Sequence, residues 1–315
     1  MTTVHDRALG SLLGSFVGDA FGAQTEFKMG KQVQKQFPQG IRDMDQNPRF
    51  IGEAGEVTDD SEMAIMMIES VLQHGTYSKQ AVLNAYRKWR DAGPLDIGIT
   101  IFGALDERFN PSSQANGALM RIAPLGILGS KLSIPDLMHL SDLDCSVTHV
   151  NPVCRDCNRL TAFALSLAIS KGWTIHEVYA YLLEAAPSYV TRPEVLTALK
   201  AAAAEPPEGI DGNLRGWVLV AFQLAFYTLL NASSFEEGMI DVIMRGGDAD
   251  TNAAIYGALA GAFVSKAGIP ERWVKQLKLS SCLKRLIGQP YKTLPDLAET
   301  WVSELLEIPA FPRFS

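Results

Sequence analysis

Two short acidic runs have residue types that could do chemistry. Thr58-Asp59-Asp60 and the set Asp248, Asp250 and Thr251 each supply two carboxylates and a threonine hydroxyl. All are hard oxygen donors, suited to Mg²⁺, Mn²⁺ or Ca²⁺ and not to zinc. Acidic residues are also favoured in a first helical turn by capping and by the helix dipole, so either run alone is explained as a helix start. Brought into one place, four carboxylates would repel one another unless cations neutralised them. Glu26, beside Phe27, could act as a base, a metal ligand or a plain surface acid.

The elements that must position these groups read as helices. Leu9, Leu12, Leu13, Phe16 and Val17 share one face at helical spacing, and so do Leu160, Phe163, Ala164 and Leu167. Further sets follow at Met63 to Leu72, Val178 to Ala185, Ile255 to Phe263 and Trp273 to Leu277, while residues 217–230 are apolar nearly all round. Alternating strand-type runs are nearly absent; Thr100-Ile101-Phe102 comes closest and is too short. The acidic Thr58 run should open a helix that stops near His74-Gly75, and Ser141, Thr148, Thr174 and Ser234 are further candidate starts. The breaks are short and rich in Pro or Gly, with none long enough for an interdomain linker. The expectation is one all-α domain over residues 1–315, built from roughly a dozen helices.

Gly10, Gly14, Gly18 and Gly22 recur every four residues, and Ala253, Gly257 and Gly261 repeat the spacing. Glycine inside a helix costs ~1 kcal/mol relative to alanine, so such a row needs a reason. Losing Cβ admits either a second backbone or a ligand, and tight helix–helix packing is the plainer reading. No nucleotide-binding glycine pattern is present.

Composition narrows the class. The chain has 315 residues, 47% hydrophobic and 20% charged, with 28 Lys and Arg against 35 Asp and Glu for a net charge of −7. That balance argues against phosphate-backbone or anionic-membrane binding. The N-terminus does not read as a signal peptide, and the 217–230 run is broken by Gln223 and too short to span a bilayer. Four cysteines, Cys145, Cys154, Cys157 and Cys282, do not make a disulfide framework. Cys154 and Cys157 lack a second pair for zinc and read as part of a helix face. A cytoplasmic protein is expected.

Several segments, taken in order, resemble the ADP-ribosylglycohydrolase family. They are residues 14–26 (GSFVGDAFGAQTE), 58–63 (TDDSEM), 96–100 (DIGIT), 116–121 (NGALMR), Thr148-His149, 216–218 (GWV) and 246–261 (GGDADTNAAIYGALAG). The last is the most specific, and the ordered set covers most of the chain. Ser61 stands where many relatives have Thr.

The resemblance implies an all-α fold with two divalent cations, Mg²⁺ or Mn²⁺, at the base of a cleft. Thr58, Asp59 and Asp60 would hold one metal, Asp248 and Thr251 the other, and Asp250 would bridge. Glu26 would activate water or act as an exchangeable ligand, and Asp96 would face the reacting ribose as the second candidate acid or base. Asn116, Gly117 and the Met120-Arg121 turn would line the diphosphate region, with His149 near the adenosine. The implied activity is hydrolysis of the N-glycosidic bond of ADP-ribose on a target, with arginine on a protein as first choice. Its partners would be an ADP-ribosylated protein, ADP-ribose and a cognate ADP-ribosyltransferase; the chain would be a monomer without membrane or nucleic-acid partners.

Competing readings differ in testable ways. Serine-linked, O-acetyl- or nucleobase-linked ADP-ribose would be alternative substrates. A non-catalytic immunity or binding protein that blocks an ADP-ribosyltransferase would be expected to have lost metal ligands, and all six are present. A metal-dependent phosphoesterase would be expected to use His in its clusters, and neither contains one.

Overall fold

A computed structural model describes residues 2–44, 53–288 and 291–310; the remainder of the 1–315 range lies outside the described residues. Along them run sixteen α-helices. The first eight are α1 (Val4–Gly22), α2 (Gly30–Gln36), α3 (Asp59–His74), α4 (Lys79–Asp91), α5 (Ile99–Leu105), α6 (Ala123–Gly129), α7 (Ile134–Thr148) and α8 (Pro152–Lys171). Then come α9 (Ile175–Ala185), α10 (Pro193–Ala201), α11 (Val218–Asn231), α12 (Phe235–Met244), α13 (Ala249–Val264), α14 (Glu271–Gln276), α15 (Ser281–Leu286) and α16 (Leu294–Glu307). The fold is all-α: among the described residues, β-type pairing is confined to isolated bridges that join Met29 to Gly246, Glu56 to Lys278 and Ala115 to Trp217. Helices exceed the expected dozen because α2, α5, α6, α14 and α15 have only six or seven residues, too few to show a period. Thr100-Ile101-Phe102, the nearest thing to a strand in the sequence, lies in α5. Among the described residues no helix is long and apolar enough to cross a membrane.

At the centre α1 and α13 run antiparallel with their backbones touching. A Cβ built on Gly14 would sit 2.1 Å from the Gly257 carbonyl oxygen, one on Gly18 2.0 Å from that of Ala253, and one on Gly10 2.3 Å from that of Gly261. The glycine ladder is therefore packing, and its intrinsic helix cost is offset by the dispersion attraction that close approach allows. The ladder ends at Gly22, whose Cβ would meet Asp250 Cα at 2.4 Å. Close packing thus places the C-terminal end of α1 against the first turn of α13. Around this pair a connected cluster of buried apolar side chains extends from Ala8 to Ile308, including Phe222 and Phe226 of the apolar α11.

Helix starts follow the sequence in part. Thr174 and Ser234 cap α9 and α12 as expected, and Gly75 ends α3 in the left-handed region at φ 66°. Ser141 and Thr148 do not begin helices; both lie inside α7, which Ser133 caps, and Asn151 caps α8. Pro135 and Pro152, each in a first turn, are the local signals that set these two starts. Cys154 and Cys157 are buried on α8, and all four cysteines are free.

Candidate functional site

The two acidic runs meet. A cleft of about 240 Å³ is lined by Glu26, Asp59, Asp60, Asp248, Asp250 and Thr251, with Asp96 from the loop before α5. A hollow of about 460 Å³ lined by Glu69, His74, Lys88 and Trp301 is larger, but it is the smaller one that gathers carboxylates. Asn116, Gly117, Met120 and His149 line the same cleft, as do Phe27, Ile99 and Ile101.

Each acidic group arrives by a distinct local device. Asp59 and Asp60 open α3, and Thr58 stands at its N-cap position in extended backbone. The threonine side chain does not cap the helix, contrary to the expected N-cap cluster. Asp19 of α1 takes that role from outside: its carboxylate accepts the Ser61 N–H at 3.1 Å and the Thr58 N–H at 3.0 Å. Thr58 Oγ1 also donates to Asp19 at 2.6 Å, which leaves the oxygen's lone pairs available to another ligand. Asp19 belongs to the 14–26 motif, yet sequence reasoning gives it no role; its partners are 39 and 42 residues away, beyond any local pattern.

Across the cleft, Asp248 precedes α13 and Asp250 lies in its first turn. Asn116 Nδ2 donates to Asp248 Oδ2 at 2.8 Å, and the Asp250 carboxylate accepts the Thr251 N–H at 2.9 Å. Glu26 is carried in by the turn after α1, which is tied to the Gly246-Gly247 loop: the Phe27 N–H donates to the Gly247 carbonyl at 2.6 Å, and the Gly247 N–H donates to the Lys28 carbonyl at 2.9 Å. Both glycines have positive φ, 69° and 73°, and a Cβ on Gly247 would sit 1.9 Å from the Ile210 carbonyl oxygen. Ligand oxygens of Glu26, Asp248 and Asp250 consequently lie within 4.8 Å of one another.

Electrostatics registers the convergence. Burial, then Asp250 and Asp19, push the Asp60 carboxyl well above its ordinary pKa; burial, then Asp96 and Asp19, do the same to Asp59. Asp250 is raised by burial and by Asp248. Such a group of like charges is stable with bound protons or with a cation. Divalent metal fits the residues present: every donor is a hard oxygen, and among the described residues Asp60 Oδ1 is buried without a hydrogen-bond partner.

The substrate-side residues divide. Asn116, Gly117, Met120 and His149 face the cleft, but Arg121 does not line it. Its side chain is fully buried, donating to Asp144 Oδ2 at 3.2 Å, the Gly117 carbonyl at 2.9 Å and Thr148 Oγ1 at 2.9 Å, with the Tyr86 ring 5.0 Å from its guanidinium carbon. The sequence expectation that the Met120-Arg121 turn lines the cleft thus holds in placement for Met120 alone. A buried guanidinium needs a carboxylate, and Asp144 of α7 supplies one on the core side.

Comparison with known proteins agrees with this architecture. The family model described as ADP-ribosylglycohydrolase matches residues 1–304. The chain is 28% identical to the ADP-ribosylarginine hydrolase Tri1 of Pseudomonas putida (strain GB-1), covering 93% of this chain and 80% of that protein. It is 27% identical to the ADP-ribosyl-[dinitrogen reductase] glycohydrolase of Rhodospirillum rubrum, over 88% and 92% of the two chains. A solved structure titled ADP-ribosylglycohydrolase-related protein complex superposes with a TM-score of 0.81 at 27% identity, covering 99% of this chain and 100% of that one.

Proposed function

The chain belongs to the ADP-ribosylglycohydrolase family, enzymes that hydrolyse ADP-ribose linkages, and from that premise we propose that it removes ADP-ribose from arginine side chains of proteins in a reaction that depends on two divalent cations. The observation that carries this reading is the meeting of Glu26, Asp59, Asp60, Asp248 and Asp250 in one cleft, with Asp96 beside them. Thr58, Asp59 and Asp60 would hold one cation and Asp248, Asp250 and Thr251 the other, with Asp250 between. Mg²⁺ or Mn²⁺ suits the all-oxygen set and, when bound, would orient the ribose hydroxyls and stabilise charge developing at the sugar.

The chain's own residues do the rest. Glu26 and Asp96 are the carboxylates that would hold or move a proton, toward water or the leaving group. Asn116 orients Asp248, and Gly117, held through its carbonyl by Arg121, would lie beside the diphosphate. A negative cleft also tolerates a guanidinium leaving group. Exposed apolar side chains at and around the cleft support a macromolecular substrate. Among the described residues, seven of the nine large hydrophobic side chains that are exposed lie near the cleft in sequence: Phe27 and Met29 after Glu26, Leu95, Ile99, Phe102 and Phe109 around α5, and Leu214 before Gly216. Ile99, 93% exposed, and Phe27 both reach the cleft itself. The same reading makes the partners an ADP-ribosylated protein, the ADP-ribose released and an ADP-ribosyltransferase that modifies the same target, and the chain a single-domain cytoplasmic monomer.

The test presents arginine-, serine- and nucleobase-linked ADP-ribose with Mg²⁺ and detects free ADP-ribose. Release from the arginine linkage, abolished by chelation and by Asp250→Ala, is the expected result. Release from serine but not arginine would reassign the linkage, and undiminished release by Asp250→Ala would overturn the metal assignment.

A further inference from the structure

We infer that Arg121 and Thr148 are positioning residues that hold His149 with its ring hydrogen on Nε2, so that this histidine meets the contents of the cleft as a hydrogen-bond donor and not as a metal ligand. The inference deepens the reading above, on which the cleft receives ADP-ribose.

One group in the network has a direction that admits no choice. A guanidinium donates and never accepts. Arg121 Nη2 therefore donates to Thr148 Oγ1 at 2.9 Å, as well as to the Asp144 carbonyl at 3.1 Å. Thr148 is buried and has a single hydrogen to place. Among the described residues, the remaining hydrogen-bond partner of its hydroxyl is His149 Nδ1, at 2.8 Å. Buried hydroxyl hydrogens find acceptors, so the Thr148 O–H donates to Nδ1. Nδ1 then carries a lone pair, and the hydrogen of the neutral ring sits on Nε2. Burial and the adjacent Arg121 push the His149 pKa down to about 3, so the ring stays neutral under ordinary conditions.

The other end of the ring completes the case. Among the described residues, Nε2 is buried and has no hydrogen-bond partner, while the residue lines the cleft against Gly117, whose added Cβ would sit 3.3 Å from His149 Cε1. A buried N–H left open at a ligand cleft awaits an acceptor. Phosphate, hydroxyl and carbonyl oxygens all qualify. A cation does not, because the Nε2 lone pair is committed to its hydrogen. That difference keeps His149 out of the neighbouring carboxylate cluster's chemistry. Asp144 anchors the relay, accepting from Arg121 Nε at 3.2 Å and from the Tyr77 hydroxyl at 3.1 Å.

Side-chain ¹⁵N NMR of the ligand-free protein reads the tautomer directly, and calorimetry with ADP-ribose reads its consequence. The wild type should show hydrogen on Nε2. Thr148→Ser keeps the hydroxyl and should preserve both the tautomer and the affinity. Thr148→Val, similar in size, should admit the Nδ1–H form and weaken ADP-ribose binding about tenfold, the order of one hydrogen bond. A wild-type ring protonated on Nδ1, or a Thr148→Val protein with unchanged tautomer and affinity, would overturn the inference. Wild-type protein that bound no ADP-ribose would instead sink the functional reading, and the ligand-free spectra would still decide the tautomer.

Discussion

Thr58 Oγ1 donates a 2.6 Å hydrogen bond to Asp19 Oδ1, so the residue that precedes α3 is held by a carboxylate from α1. The same carboxylate accepts the Thr58 and Ser61 N–H groups. One buried acid thus caps α3 from outside, in place of the Thr58 side chain at the N-cap position. Asp59 and Asp60, the first two residues of the helix, line the cleft.

Asp19→Ala should therefore damage the site without touching its lining. Three donors are left without their acceptor; the expected destabilisation is about 2 kcal/mol, read by denaturant unfolding. Removal of the group that orients Thr58 should also weaken Mn²⁺ binding ~10–100-fold, read by electron paramagnetic resonance. Asp19→Asn keeps one acceptor oxygen and should fall between. Unchanged Mn²⁺ affinity in both variants would mean that Thr58 and the α3 start need no outside support.

The glycine ladder gives a second prediction. Gly14→Ala should improve intrinsic helix propensity by ~1 kcal/mol. It should nevertheless destabilise the protein, because the new Cβ lies 2.1 Å from the Gly257 carbonyl oxygen and both backbones must separate. Overpacking of this kind costs roughly 1–3 kcal/mol or more. Gly98→Ala is the control: its nearest neighbour would be Ile101 Cδ1 at 3.6 Å, and its melting temperature should stay close to wild type. Equal stability of the two variants would show that the close approach of α1 to α13 is not needed.

How far the sequence can be read follows from where each signal resides. The ladder is legible because its period is local and glycine has few other uses at four-residue spacing. The all-α class is legible for the same reason, although helices of six or seven residues hold too few turns to declare themselves. The acidic runs are visible as composition, but their meeting depends on α1 lying on α13. Arg121 marks the limit: its motif identifies the turn, yet a long side chain can reach the cleft or the core, and Asp144, 23 residues on, decides for the core. Ser133 and Asn151 are within reach of the sequence, since each is followed by a proline in a first helical turn.

Ile99, exposed at the cleft, predicts a division between substrates. Ile99→Asp places a charge at a side chain that is 93% exposed, so folding should be unaffected. If Ile99 docks a protein, KM for an ADP-ribosylated protein should rise about tenfold, the order expected when one well-buried apolar side chain is removed from an interface. Activity on a small ADP-ribosylated guanidine, which lacks the protein surface around the modified arginine, should change less. Equal effects on both substrates would place Ile99 against the ADP-ribose itself.

Buried His149 should make stability depend on pH in a direction that can be worked out. Its folded-state pKa, about 3, lies below the unfolded value near 6.5. Between those values the unfolded chain takes up a proton that the folded protein refuses, so stability is fully present above about 6.5 and is lost as pH falls. At ~1.4 kcal/mol per pH unit, lowering the pH from 7 to 5 should remove about 2 kcal/mol through this residue. His149→Gln cannot take up that proton. Its unfolding free energy, measured by denaturant melts at pH 7 and pH 5, should fall by about 2 kcal/mol less than that of the wild type over the same interval. Parallel decreases in the two proteins would mean that His149 protonates as readily folded as unfolded, and that its ring is not shut away from protons as its burial requires.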